Sequence, residues 1–148
     1  MKKKIKISRR SGYSLLEITL ALSIIAMLFL LGSSPGINPK KHQLEVAVRK
    51  VHSTLSVARF RSVQRQLPIR VSFSGPFLEL AEYHSQESEW FVKNRELLEG
   101  VEVAASNSPV FYPQGTVSNL ATIRIKNEHG AYQITVAITG RIKIVRTD

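Results

Sequence analysis

Residues 13–32, YSLLEITLALSIIAMLFLLG, are a twenty-residue apolar run in which Glu17 is the only charge. As a helix rising ~1.5 Å per residue, the run is about 30 Å long, the thickness of a bilayer's hydrocarbon core. The twelve residues before it, MKKKIKISRRSG, hold six basic side chains and no acid, which favours keeping that end in the cytoplasm. A single-pass helix is therefore expected, with the rest of the chain on the far side of the membrane. Three fates fit such a segment. Ile18–Leu31 has the length of a secretory h-region and Gly32-Ser33-Ser34 are small, so the run could be a cleaved signal. It could be a plain anchor. Neither explains Glu17, because a carboxylate in hydrocarbon costs roughly 2–3 kcal/mol or more and usually marks function. In the third reading, the glutamate is what the segment is for.

The overall charge of +10 suggests a nucleic-acid or anionic-membrane partner until it is located along the chain. Setting aside the six basic residues of 1–12 leaves 15 against 11 acids, or +4. The remainder is patterned. Residues 40–70 carry eight basic side chains against Glu45, residues 79–102 carry seven glutamates against Lys93 and Arg95, and the last 25 residues turn basic again. Cysteine is absent, which excludes disulfides, thiolate metal sites and a cysteine nucleophile.

Gly32–Pro39 holds two prolines and two glycines in eight residues, so a helix continuous with the apolar run is not expected. Residues 33–40 read as a hinge. Over 41–66, Leu44, Val48, Val51, Leu55, Ala58 and Ser62 recur at spacings of three and four and form one stripe. Arg49, Lys50, Arg59, Arg61 and Arg65 lie mostly off it. Pro68 ends the helix.

From Ile69 the period becomes two. Strands are expected at 69–74, 77–83 and 89–93, more weakly at 101–105 and 110–112, and most clearly at 122–126, 132–138 and 141–145. Asn127–Gly130 joins the first pair of that last trio, and Thr139-Gly140 makes a tight hairpin for the second. Ile123, Ile125, Tyr132, Ile134, Val136, Ile138, Ile142 and Ile144 then share one face. Arg124, Lys126, Arg141 and Lys143 share the other, as a possible contact surface for a partner or for DNA. A sheet with one apolar face buries it, and helix 41–66 is the expected cover. The chain thus reads as α+β: a transmembrane helix, a hinge, and an amphipathic helix packed on an antiparallel sheet.

Residues with catalytic chemistry are scattered. Asp occurs once, at position 148, and the four histidines lack any His-x-x-x-His or His-Glu-x-x-His spacing, so no metal site or carboxylate triad is expected. Glu82, Glu87, Glu89 and Glu96 read as a solvated acidic stretch, and Trp90-Phe91 as a core anchor. No cofactor and no enzymatic activity are expected.

Gly12-Tyr13-Ser14-Leu15-Leu16-Glu17 followed by the apolar run resembles the type IV prepilin signature of pilins and type II secretion pseudopilins. The resemblance implies that a prepilin peptidase removes residues 1–12 by cutting between Gly12 and Tyr13, and that Tyr13 is then N-methylated. Tyr stands where the family most often has Phe. It implies further that Glu17 meets the new amine of a neighbouring subunit during assembly, with other pilins or pseudopilins as partners. The span 13–32 would stay in the inner membrane and residues 41–148 would form a periplasmic pilin-like head. Phe111-Tyr112-Pro113-Gln114-Gly115-Thr116 and the closing Gly140-Arg141-Ile142-Lys143 resemble the narrower GspH/FimT branch. That branch implies an H-type minor pseudopilin of a type II secretion system, in or capping a pseudopilus. The alternative it carries is a FimT-type minor pilin whose basic C-terminal face takes part in DNA uptake. Lys143 stands where a second arginine would hold phosphate bidentately, a departure from that pattern.

Overall fold

The computed structural model describes residues 14–32 and 38–147. The chain divides into two units, residues 1–36 and 37–148. In the first, helix α1 spans Leu15–Gly32. Ser14 opens it by accepting the backbone N–H groups of Glu17 at 2.9 Å and Ile18 at 3.2 Å. Its hydroxyls are turned inward on the helix itself. Thr19 Oγ1 donates to the Leu16 carbonyl at 2.9 Å and Ser23 Oγ to the Thr19 carbonyl at 2.6 Å, which spares both groups a solvent partner. Among the described residues no helix is long and apolar enough to cross a membrane. The 18 residues of α1 amount to about 27 Å, and Tyr13, part of the expected span, lies outside the described residues.

In the second unit α2 runs from Pro39 to Arg65, starting two residues before the expected boundary. Asn38 is the N-cap and Pro39, whose missing N–H is no loss in a first turn, opens the helix. Asn38 Oδ1 accepts from Lys40 N at 3.2 Å. The hinge reading of 33–40 is thus shortened to end at Asn38, and its first five residues lie outside those described. Gln66 closes the helix in the left-handed region, at φ 55°. The stripe read from sequence is the buried one, with Ala47 added to it.

Nine strands follow: β1 Ile69–Ser74, β2 Phe77–His84, β3 Glu89–Leu97, β4 Glu102–Ala105, β5 Val110–Phe111, β6 Val117–Ser118, β7 Thr122–Asn127, β8 Gly130–Val136 and β9 Ile142–Thr147. They form two antiparallel sheets rather than one. The larger has the order β3-β2-β1-β5-β6 and the smaller β4-β7-β8-β9. One core joins them: Leu44, Val51 and Leu55 of α2 meet Ile69, Val71, Leu78 and Leu80 from the first sheet and Ile123, Ile125, Ile134 and Val136 from the second. A single helix stripe covering two sheet faces explains why α2 is so deeply buried along one side.

Three expectations need correcting. The last hairpin loop has three residues, Ile138–Gly140, closed by Ala137 N to the Arg141 carbonyl and by Gly140 N to the Ala137 carbonyl, both 2.9 Å. Gly140 takes φ 73°, the left-handed third position of such a loop. Ile138 is therefore in the turn, 62% exposed, and not on the core face; Ile144, near the open end of β9, is also partly exposed. Trp90 and Phe91 lie outside the buried core. Trp90 instead sits on the outer side of the larger sheet, 5.2 Å from the ring of Tyr83 opposite it, with the Arg70 guanidinium 4.6 Å above it. Glu82 is not solvated: it follows Leu78 and Leu80 in inward register and is 3% exposed. Arg65 reaches it, Nη1 to Oε1 2.6 Å.

Candidate functional site

Gly12 and Tyr13, the expected processing site, lie outside the described residues. Glu17 is in the first turn of α1, where the positive end of the helix dipole favours a carboxylate. It has no cation partner among the described residues. Around it, Leu15, Leu16, Ile18, Leu20, Leu22, Ile24, Ile25, Leu28 and Phe29 are exposed, so α1 is an apolar rod open on every side. A surface of that kind requires lipid or other apolar helices to cover it.

On the head, Arg124, Lys126 and Lys143, three of the four basic residues expected to share a face, lie on the outer face of the smaller sheet, while Arg141 lines a groove beside α2. Arg124 and Lys126 alternate with buried Ile123 and Ile125 along β7, and Lys143 follows half-buried Ile142 on β9. Register fixes their rows: Lys126 is level with Ala131 and Thr147, Arg124 with Gln133 and Val145, and Lys143 with Thr135 and Thr122. Arg141 lies one step further, beside Ala137. Arg124, Lys126 and Lys143 form a diagonal, with rows about 6.7 Å apart and β7 and β9 about 9.5 Å apart across β8. Glu102 of β4 occupies one end of it, 3.2 Å from the Lys126 ammonium. Arg124, Arg141 and Lys143 carry no ion-pair partner among the described residues.

A second cationic feature lies behind the same hairpin. An ideal Cβ on Gly140 would fall 2.8 Å from Arg59 Nε, so glycine is what lets the Arg59 side chain lie across the turn. Sequence reading placed Arg59 off the buried stripe of α2 but did not bring it to Gly140-Arg141, because which helix residue faces the turn depends on the packing. Glu82 was legible in principle, since its register continues the alternation of Leu78 and Leu80. At the base of α2, Lys40 pairs with Glu128 of the β7–β8 loop, and Asn127 Nδ2 donates to the Lys40 carbonyl at 2.7 Å. The hydrogen bond from Lys40, with its charge, holds the Glu128 carboxyl below the usual carboxylate range. Among the described residues no group of three or more His or acidic side chains is placed to hold a metal ion.

No family model and no curated protein matches this sequence. Solved structures do match its fold. The minor pseudopilin EpsH from the type 2 secretion system of Vibrio cholerae superposes with a TM-score of 0.62 at 11% identity, over 70% of this chain and 97% of that one. The type IV minor pilin FimU of Pseudomonas aeruginosa PAO1 gives 0.60 at 16% identity, over 71% and 90%. The chain shares the pilin-like α+β fold of both. The match takes in nearly the whole of both solved chains. Both are pilus or pseudopilus subunits, and their scores are too similar to separate a secretion system from a pilus.

Proposed function

We propose that this chain is a minor pseudopilin of a type II secretion system, which enters or caps a periplasmic pseudopilus that helps export folded proteins. The observation that carries the proposal is Glu17: a carboxylate with no cation partner among the described residues, on an apolar rod whose chain continues into a minor-pilin head. In this reading a prepilin peptidase cuts between Gly12 and Tyr13, and Tyr13 is N-methylated. Residues 13–32 sit in the inner membrane with the head periplasmic. Bilayers absorb a helix a few Å short of their thickness at fractions of a kcal/mol per Å. The ammonium made at Tyr13 of one subunit supplies the partner that Glu17 of the next requires, since a buried charge without one is heavily penalised. The chain contributes a rod and a docking head; no bond-making step is assigned to it.

The test is Glu17→Ala in the full chain. Membrane insertion should be unchanged, while incorporation into the assembly and secretion should fall at least about tenfold. Normal assembly by the variant would contradict the proposal and leave a membrane-anchored module with no role in filaments. A second reading, a type IV minor pilin that contacts DNA, is favoured by Arg124 and Lys143, two cations of one outer face without an ion-pair partner among the described residues.

A further inference from the structure

Between the second half of α2 and the last hairpin runs an open groove of about 710 Å³, lined by His52, Arg59, Phe60, Val63, Gly140 and Arg141, among others. Its composition is unusual for a solvated surface. Phe60 is 67% exposed and Val63 45%. Arg59 and Arg141 bring two guanidinium groups, neither with an ion-pair partner among the described residues. No acidic side chain lines it. Apolar side chains left open beside unpaired cations describe half of an interface, and the missing half must supply both carboxylates and an apolar anchor.

We infer that this groove receives an acidic hairpin of a neighbouring head, with the chemistry that the β2–β3 hairpin of this chain itself displays. That hairpin exposes Glu87 and Glu89, neither with an ion-pair partner among the described residues, next to Trp90. Both surfaces lie at the C-terminal end of α2. Gly140 packs at Arg59, and Tyr83 N, at the end of β2, donates to the Pro68 carbonyl just beyond the helix, at 3.0 Å. The hairpin belongs to the outer strands of the larger sheet and the groove to the outer hairpin of the smaller one. A head therefore carries a donor and an acceptor surface that differ, and contacts of that heterologous kind extend head to tail instead of closing into a dimer. A carboxylate is favoured over a phosphate backbone because the groove sets only two guanidinium groups beside the open side chains of Phe60 and Val63. The Arg124, Lys126 and Lys143 diagonal belongs to the opposite, outer sheet face. The inference rests on the reading of the chain as an assembly subunit.

The test uses the full chain in mild detergent and a labelled peptide of residues 83–91, YHSQESEWF. Saturable binding is expected, weakened at least about tenfold by Arg59→Gln with Arg141→Gln, and several-fold by Phe60→Ser or by glutamine at both glutamates of the peptide. All three chain positions are exposed, so unchanged melting temperatures check that the fold is intact. A single-stranded oligonucleotide of about twenty nucleotides is the competitor. No peptide binding, binding indifferent to the substitutions, or preference for the oligonucleotide would each overturn the inference. The measurement does not require assembly: a failure here leaves the Glu17 result standing, and failure of Glu17→Ala to impair assembly leaves peptide binding readable.

Discussion

Arg65 and Glu82 show how unequal the two halves of one ion pair can be. The Arg65 side chain is 49% exposed and the Glu82 side chain 4%. Without Glu82, the guanidinium turns to water; without Arg65, a carboxylate is stranded in the core beside Ile69. Removing one partner of a buried pair costs about 3–5 kcal/mol when the charge left behind cannot be solvated, whereas the half-exposed guanidinium left by loss of Glu82 stays in water. Arg65→Ala is therefore expected to destabilise the head by about 3 kcal/mol, and Glu82→Leu by less than about 1 kcal/mol. Equilibrium urea unfolding of each variant measures both. Equal losses would show that the pair acts as a surface contact. The same pair marks a limit of sequence reading. Glu82 sits at an alternating position that a buried residue would occupy, yet a glutamate in an acidic stretch reads as solvated until its arginine is found 17 residues away.

At the scale of elements, what was legible followed from periodicity. The α2 stripe from Leu44 to Ser62 was read residue by residue, because each member repeats at helical spacing and the stripe faces a core along its whole length. The alternation of Ile123, Ile125 and Ile134 likewise placed Arg124 and Lys126 on the outside. Alternation says which face a residue is on, however, and not which strands pair. The division into two sheets was therefore not readable, nor was β6, which has two residues and no period. The three-residue loop at Ile138–Gly140 also escaped, since Thr139-Gly140 suits a two-residue turn equally well. The outer face of the smaller sheet yields its own prediction. With Lys126 occupied by Glu102 and Arg141 in the groove beside α2, two cations of this face, Arg124 and Lys143, remain for phosphates. If the head binds duplex DNA through this face, log K should fall against log salt with a slope of about −1.8, not the −3.6 of four contacts. Lys143→Ala should then bring the slope to about −0.9. No retardation at low salt, or a slope untouched by the substitution, would remove DNA from the list of partners.

For the whole molecule, the apolar run is the feature from which the account grows. It divides the chain into a rod open on every side and a head with its own core, and it explains the distribution of charge. Six of the ten excess positive charges precede the rod, and in the proposed processing they orient it and are then removed. A chain without cysteine must also hold its head together by packing alone, and the shared core of α2 and the two sheets is what does so. The most direct test of the proposal is the intact mass of the mature protein extracted from membranes of cells that carry the prepilin peptidase. The expected product begins at Tyr13, lacks residues 1–12 and carries one added methyl group. A mature chain beginning near Ser33 or Ser34 would show instead that the apolar run is a discarded secretory signal, and would contradict the account.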